Sequence, residues 1–265
     1  MLMVIVDNIR LGKNNEITAP VMIINLANRS IVSIPTQLGC NINCDFCISS
    51  LTDFVRNFST EEMILLAEHG LSRAKSTNVM LSFTGEGEPI LNLRKVNDVI
   101  AHYDFDPIVS SFRICTSGIK PSSIKNITTG NTPVHLQLSL HSAIDETRMK
   151  MIPKTRPVQE IKDAVIACPS KFAEVAVNYV LMDGVNDSES DIKALIKLVD
   201  SNWIIKLNPL LGDNKFSPSK RTDDVSRILS KADVNHVVFT AVGSTIKNNF
   251  YEKLVHEKHN AILVA

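Results

Sequence analysis

The chain has 265 residues, 44% hydrophobic and 21% charged, a balance typical of an ordinary folded globular protein. Basic and acidic residues number 28 each, and this zero net charge argues against strong, autonomous nucleic-acid binding without excluding a local basic patch. Five cysteines, three of them clustered, are too few and too uneven for a disulfide framework. No apolar run approaches the ~20 residues that span a bilayer, and the start does not resemble a signal peptide. We therefore expect a cytoplasmic protein with no membrane contact and with reduced thiols.

The first 30 residues predict a β hairpin, which we interpret as a short N-terminal β extension (1–30). Residues 2–6 and 21–26 are short apolar runs, and the polar turn 12–15 separates them. Residues 31–34 then predict the first strand of the main domain, which ends directly before a cysteine-rich loop.

The main domain, residues 31–265, alternates strands and helices. Ser59 and Glu62 form a capping-box pattern that predicts the start of a helix running to about residue 75. About six successive βα units imply a parallel sheet with helices outside it, too few for a closed eightfold barrel. We therefore expect an α/β fold with an open, partial (β/α)6 barrel. The later strands are predicted at 78–83, 111–116, 134–140, 174–181, 204–207 and 235–240, and the later helical segments at 93–102, 122–126, 158–167, 189–199, 223–232 and 246–256.

Cys40, Cys44 and Cys47 form a C-x3-C-x2-C motif in the loop after the first strand. Three thiolates can each hold one corner of a cubane iron–sulfur cluster. A closed structural zinc site needs four protein ligands, and the sequence has no fourth Cys or His nearby. Three protein ligands leave one iron open for chemistry, so the spacing predicts a catalytic iron–sulfur site. Structural cysteines clustered by chance are the alternative.

Polar or glycine-rich motifs follow the later strands, at the end of the sheet where active sites of such folds collect. Any one of them alone would more often be a turn or a helix cap. Their common position predicts that they surround one site. The motifs are TGEGEP at 84–89, TSG at 116–118, SLH at 139–141, DGVND at 183–187 and NP at 208–209.

The cysteine motif with Phe46 before its third cysteine, together with Gly87, Glu88 and Pro89, resembles the radical S-adenosylmethionine (SAM) superfamily. Further motifs over residues 31–256 resemble its ribosomal RNA adenine methyltransferase branch in order and spacing. These are QLGC, RNFST, GEGEPILN, TSG, SLH, LMDGVNDS and NP.

The resemblance implies two cofactors, a 4Fe–4S cluster on Cys40, Cys44 and Cys47 and SAM chelated to the fourth iron. The reduced cluster would cleave SAM to methionine and a 5′-deoxyadenosyl radical, with electrons from an external flavodoxin- or ferredoxin-like reductant. The residues that the resemblance assigns to cofactor binding are Phe46, Gly87, Glu88, Cys115, Ser139, His141 and Asn208.

Each assigned residue type has a physical reason. Gly87 permits close backbone approach, and Glu88 offers the SAM amino group a charge-assisted acceptor. His141 would bond the ribose and carboxylate side of SAM. Cys115 stands where the branch has a SAM-contacting serine, and a thiol is the weaker hydrogen-bond partner. The ordinary alternatives are a loop carboxylate for Glu88 and a strand-end histidine for His141.

The sequence departs from the methylating branch at two further cysteine positions. The position seven residues before the first cluster cysteine is Ser33, and the methyl-carrying position aligns with Phe250. Phenylalanine has no nucleophilic sulfur. The branch's N-terminal recognition domain is not matched either, and its general-base glutamate has only Glu16 as a nearby carboxylate, which does not align without a gap. We therefore expect SAM cleavage without methyl transfer through cysteine.

The remaining use of the radical is hydrogen abstraction. By analogy with a scaffold that acts on a purine, the substrate is expected to be a nucleobase, a nucleoside or a modified DNA or RNA base, which is isomerised or otherwise modified. No catalytic residue is assigned. The alternatives are RNA adenine methylation by an altered route and a non-catalytic module that binds the cluster and SAM. The sequence leaves open the fate of the substrate radical and whether SAM is regenerated.

Overall fold

The computed structural model describes residues 3–12, 17–51, 53–210 and 215–239. The β-strands are β1 Met3–Leu11, β2 Ile17–Asn25, β3 Ser30–Ile34, β4 Gln37–Leu38, β5 Arg56–Asn57, β6 Val79–Phe83, β7 Val109–Thr116, β8 Val134–Ser139, β9 Glu174–Leu181, β10 Ile204–Pro209 and β11 His236–Val238. The α-helices are α1 Thr60–Arg73, α2 Leu93–Tyr103, α3 Asp145–Met151, α4 Val158–Ile166, α5 Glu189–Leu198 and α6 Thr222–Lys231. Short 3-10 turns span Ile48–Leu51, Pro89–Asn92 and Pro121–Asn126.

The central sheet has nine strands in the order β1-β2-β3-β6-β7-β8-β9-β10-β11. In this sheet β3 and the strands from β6 to β11 run parallel and alternate with helical segments, whereas β1 and β2 add an antiparallel hairpin to the edge of β3. The short strands β4 and β5 pair antiparallel in a separate two-stranded sheet. This arrangement confirms the predicted α/β fold with a mostly parallel sheet. The hairpin strands are longer than predicted and continue the same sheet, while residues 13–15 of the predicted turn lie outside the described residues.

The two faces of the parallel sheet differ in polarity. In β8, Val134, Leu136 and Leu138 are buried, while the alternating His135, Gln137 and Ser139 are only partly buried. Parallel sheets are usually apolar on both faces because both are covered. We call the polar face the inner face. Its partial exposure leaves polar groups accessible in the middle of the fold, where a ligand can reach them.

The outer face packs against helices that begin where the sequence predicts. In α1, the Ser59 hydroxyl accepts from the Glu62 N–H, and the Glu62 carboxylate accepts from the Ser59 N–H, a complete capping box. A Cβ on Gly70 would lie 2.2 Å from a methyl carbon of Val32, so α1 lies close against β3. This contact fixes the strand that leads into the cysteine loop.

Helix α3 is the clearest element that the sequence did not predict. It has only 7 residues and follows the SLH motif directly. Asp145 and Glu146 in its first turn are the signal that was available, because acidic residues favour helix N-termini. The predicted tail helix at 246–256, with Phe250, lies outside the described residues. None of the described helices is long and apolar enough to cross a membrane.

Candidate active site

The loop that carries Cys40, Cys44 and Cys47 follows β4 and has a tightly constrained start. Gly39 has a left-handed φ of 75°, and a Cβ at this position would lie 2.0 Å from the Asp53 carbonyl oxygen. Only glycine fits such a backbone. The Gly39 N–H donates to the Glu86 carboxylate at 2.8 Å, which ties the loop to the segment after β6.

The three thiols are partly exposed and influence one another's charge. Burial raises the pKa of Cys40 to about 11, and negative charge at Cys47 and Glu88 acts in the same direction. Burial likewise raises the pKa of Cys44 well above its ordinary value. A cationic metal group bound to the three sulfurs would favour the deprotonated form of Cys40 and Cys44.

The Gly-Glu-Pro motif after β6 is held against Gln37. Gly87 has φ 98°, and a Cβ there would lie 2.7 Å from the Gln37 side chain; the Glu88 N–H donates to the Gln37 side-chain oxygen at 2.8 Å. The buried Glu88 carboxylate accepts from the Ser117 N–H and hydroxyl, each at 2.8 Å. Burial raises the pKa of Glu88, while hydrogen bonds from Thr116 and Ser117 lower it. A cationic amino group bound here would further stabilise the charged carboxylate.

His141 lies at the end of β8 in a left-handed conformation with φ 57°. Its Nδ1 accepts from the Val180 N–H at 3.1 Å, so the neutral ring carries its proton on Nε2. Burial lowers the pKa of His141 to about 3, which keeps the ring neutral. The Phe46 ring packs edge-on against it with centroids 4.8 Å apart. The structure thus brings Phe46 and His141 together and leaves Nε2–H as a donor.

Cys115, Ser139 and Asn208 lie on the inner faces of β7, β8 and β10. The Asn208 side chain donates to the carboxamide oxygen of Asn178, and Asn178 is the register partner of Ser139. Asn178 of β9 therefore lies between Ser139 and Asn208, and Cys115 lies on β7, the strand on the other side of β8. Burial raises the pKa of Cys115, so this thiol stays protonated.

Arg148 is the main residue of this region that the sequence did not indicate. It lies on α3, is fully buried, and donates to the carbonyls of Ser139 at 3.1 Å, of Leu140 at 2.5 Å and of Ser117. Burial lowers its pKa to about 10, and its positive charge lowers the pKa of Cys44. Arg148 therefore holds together the ends of β7 and β8, where the TSG and SLH motifs lie.

The comparison with protein families decides the identity of this fold. The model of the Radical SAM superfamily matches residues 34–199, more than half of the chain. This chain belongs to the radical SAM superfamily. The cysteine loop, the Gly-Glu-Pro motif, the SLH motif and the strands β6 to β9 all lie within the matched range.

The curated relatives of this radical SAM protein are longer than the chain. The dual-specificity RNA methyltransferase RlmN of Campylobacter fetus is 32% identical over 230 residues, which are 81% of this chain and 64% of the relative. The ribosomal RNA large subunit methyltransferase N of Nitrosopumilus maritimus is 30% identical over 233 residues, 82% of this chain and 66% of the relative. The chain thus spans about two thirds of the length of these relatives.

Solved structures confirm the radical SAM fold. A radical SAM methyltransferase from Sphaerobacter thermophilus has a TM-score of 0.77 at 21% identity, and the match covers 91% of this chain and 79% of that one. A mutant spore photoproduct lyase with a dinucleoside spore photoproduct has a TM-score of 0.60 at 9% identity, and the match covers 78% of this chain and 75% of that one. Both likenesses concern the fold alone.

Membership of the radical SAM superfamily implies a 4Fe–4S cluster and SAM, and the residues present fit both groups. Cys40, Cys44 and Cys47 supply three soft sulfur ligands on one loop, and Glu88 and His141 offer an acceptor and a donor. Among the described residues, no group of three His, Cys, Asp or Glu side chains is arranged so that it could hold a metal ion. The ligand role of the cysteines therefore stays a prediction.

Proposed function

We propose that this chain is a radical SAM enzyme that abstracts hydrogen from a nucleobase, a nucleoside or a DNA or RNA base and leaves it isomerised or otherwise modified. The observation that carries the proposal is the convergence of the cysteine loop, Glu88 and His141 beside a polar, partly exposed inner face. When bound, the cluster and SAM supply one chemistry, the reductive cleavage of SAM to methionine and a 5′-deoxyadenosyl radical.

The chain's own residues would bind and orient SAM. Glu88 accepts a bond from the amino group, and Gly87 lets the backbone approach closely. The Nε2–H of His141 donates to the carboxylate or ribose side, while Ser139 and Asn208 line the inner face towards the adenosine. These roles agree with the buried carboxylate of Glu88 and the tautomer that Val180 imposes on His141.

An apolar cluster beside the cysteines would exclude water from the reacting atoms. Its buried members pack with Cys40, Cys44 and Phe46 on its border. Excluding water protects reactive intermediates from side reactions. The buried residues of this cluster are Ile42, Met151, Ile152, Met182 and Leu210.

Two positions support hydrogen abstraction over methyl transfer through cysteine. Ser33, on β3, is 4% exposed and is the register partner of Ser82. A hydroxyl at this position cannot replace the thiol chemistry of the methylating branch. Phe250 aligns with the methyl-carrying cysteine, and its side chain lies outside the described residues.

The test is anaerobic reconstitution with iron and sulfide, followed by dithionite and SAM. We expect 5′-deoxyadenosine from the wild type and none from Cys44→Ala. Cys168→Ala is the matched control, because Cys168 lies beyond the end of α4 and away from the loop, and it should retain product formation. Wild type that yields no more product than Cys44→Ala would exclude this function and leave a non-catalytic cluster- and SAM-binding module.

A second assay identifies the substrate class. Deuterated nucleosides and oligonucleotides are supplied separately, and deuterium is sought in the 5′-deoxyadenosine. Transfer from either pool supports abstraction from a nucleobase-containing substrate. Product without deuterium from both pools contradicts that substrate class while leaving SAM cleavage intact.

RNA methylation is the second candidate, favoured by the names of the curated relatives, which are RNA methyltransferases. Methyl-labelled SAM distinguishes it, because methylation carries the label into ribosomal RNA. Labelled RNA would support methylation by an altered route. Unlabelled RNA beside active SAM cleavage would exclude it.

A further inference from the structure

A row of charged and titratable side chains crosses the inner face away from the cysteine loop. Arg113, His135 and Glu174 are register partners on the adjacent strands β7, β8 and β9. Lys206 of β10 joins them, with its Nζ 2.7 Å from the Glu174 carboxylate and only 8% of its surface exposed. His135 is four residues before Ser139 on β8, a separation of roughly 13 Å along a strand. We call these four residues the basic row.

The hydrogen bonding of the basic row is incomplete. Glu174 and Lys206 pair with each other, but the Arg113 side chain makes no hydrogen bond or ion pair with any described residue. Its Nε is buried without a partner, and so is Nδ1 of the neighbouring His135. Buried polar atoms are usually hydrogen-bonded, so two unpartnered ones on adjacent strands favour a bonded group from outside the chain.

The charge of the region is positive. Burial lowers the pKa of His135, and the cations Arg113, Lys206 and Arg29 lower it further, while Glu174 opposes them. His135 is therefore neutral near pH 7. Three cations face one carboxylate, and Arg113, His135 and Glu174 are partly exposed, so a solute can reach them. An anion would both balance the charge and accept from Arg113.

We propose that the basic row binds the anionic group, a phosphate or a carboxylate, of a small substrate whose other end extends towards SAM. Arg113 would bond it through its guanidinium, which matches phosphate and carboxylate oxygens, and Lys206 would add a point charge. Glu174 positions Lys206 and limits the affinity. The link to a nucleobase-containing substrate rests on the proposed function and makes the substrate a nucleotide; the anion site itself rests on the row alone.

A purely structural role for the row makes a different prediction. The Glu174–Lys206 pair would then serve only stability, and replacing Arg113 or Glu174 would change unfolding but not anion affinity. The two interpretations therefore separate in a binding measurement.

The experiment is calorimetric titration of the full cluster-free chain with inorganic phosphate. We expect Arg113→Gln to weaken binding by about ten- to a hundredfold, the effect of losing a charged hydrogen-bond donor. Arg227→Gln, an exposed arginine paired with Asp224 on α6, should bind as the wild type does. Glu174→Gln should tighten binding, because it removes the one carboxylate of the row.

The outcomes are decisive even where a variant folds poorly. If circular dichroism shows that Arg113→Gln is unfolded, Glu174→Gln decides: tighter binding supports the site, and unchanged or weaker binding overturns it. Equal phosphate affinity in wild type and folded Arg113→Gln overturns it, as does the absence of binding by the wild type at tens of millimolar phosphate.

Competition with succinate, nucleosides and nucleoside 5′-monophosphates identifies the source of the anion. If the monophosphates bind more tightly than phosphate and than the matching nucleosides, the natural ligand is a nucleotide. If succinate binds more tightly than phosphate, the natural ligand is a carboxylate. SAM cleavage is measured separately. Intact cleavage without an anion site overturns this inference alone, and an intact anion site without cleavage overturns the proposed function alone.

Discussion

Arg148 and Arg113 both face the interior of the fold, but their surroundings differ. Arg148 has no exposed surface and donates to three carbonyls where β7 and β8 end. Arg113 is partly exposed on the inner face of β7, and its side chain makes no hydrogen bond with any described residue. Arg148 also keeps a buried Nε without a partner, but both of its terminal nitrogens are bonded by its own chain, whereas no described residue bonds the Arg113 side chain.

This difference distinguishes an arginine that stabilises the fold from one that is available to bind a ligand. A buried guanidinium whose terminal nitrogens bond carbonyls of the same chain holds the backbone in place, and removing it leaves those carbonyls without a donor. A partly exposed cation with a buried, unpartnered N–H gains most from a group outside the chain. Around the cysteine loop the protein is arranged in advance, while the basic row would be completed by a ligand.

Replacing Arg148 is expected to have the largest effect. Arg148→Met keeps much of the side-chain volume but leaves three carbonyls without their donor, and we expect a loss of about 3–5 kcal/mol in the free energy of unfolding. Urea denaturation of the cluster-free chain measures it. Arg156→Met is the control, because its exposed pair with Glu160 contributes about 0.5 kcal/mol. Equal losses in the two variants would show that Arg148 does not hold the strand ends together.

A glycine pair tests how strictly the cysteine loop is arranged. Gly39 and Gly85 both have positive φ, so alanine strains either backbone by about 1–2 kcal/mol. Only at Gly39 does the added Cβ also meet a backbone oxygen, that of Asp53, whereas nothing lies within 4 Å at Gly85. We expect Gly39→Ala to lose most of its iron after reconstitution and Gly85→Ala to keep it, measured as iron per chain. Similar iron contents would contradict the constraint on the loop.

Much of the fold could be predicted because its signals are local. The capping box at Ser59 gave the start of α1 correctly, and β9 occupies the predicted range. Helix α3 was missed because 7 residues offer little periodicity. The hairpin was placed, but its strands proved longer, since β1 and β2 pair with each other over nine residues each, including positions that are not apolar.

The site could be predicted only where one short segment carries the chemistry. Cys40 and Glu88 stand in recognisable motifs, and their roles stay predictions. The bonds from Ser117 to Glu88 cross 29 positions of sequence, and the bond from Val180 to His141 crosses 39. Such partners follow from the register of the sheet, which no single strand encodes. The basic row could not be predicted for the same reason. The alternation in β8 shows that His135 and Ser139 share a face, but it does not show which residues of β7 and β9 lie beside His135.

Anion binding at the basic row is expected to depend on pH. A bound anion favours the protonated form of His135, whose pKa burial lowers in the free protein, so sulfate affinity should rise a few-fold from about pH 8 to about pH 6. Sulfate is the probe because its own charge stays constant over this range. The other groups that face His135 are Arg29, Arg113, Glu174 and Lys206.

His135→Gln should bind sulfate with little dependence on pH. Burial also lowers the pKa of Lys206, so Lys206→Arg, whose charge is fixed, serves as the control and should keep the dependence of the wild type. A profile that persists in His135→Gln and disappears in Lys206→Arg would assign the titration to Lys206 instead.

Breaking the pair between Arg56 and Glu62 is expected to have the smallest effect on the free energy of unfolding, because Arg56 is partly exposed. Its two guanidinium nitrogens lie 2.8 and 2.7 Å from the Glu62 carboxylate oxygens. The hydrogen bond from Arg56 lowers the pKa of Glu62 below its usual 4.5. The folded pKa is the lower one, so the pair stabilises the fold above about pH 4.5 and this contribution is lost as the pH falls through the folded value.

Glu62→Gln keeps an oxygen for the capping bond to Ser59 and removes the charge together with one of the two acceptors of Arg56. We expect a loss of about 0.5–1 kcal/mol at pH 7, measured by urea denaturation, and a gap to the wild type that closes as the pH falls below 4.5. Glu189→Gln, in an exposed pair with Lys193, should show almost no gap at either pH. A difference in unfolding free energy between Glu62→Gln and the wild type that stays constant with pH would mean that the charge of the carboxylate contributes nothing. An observed ion pair such as that of Arg56 would then not be evidence of a stabilising charge.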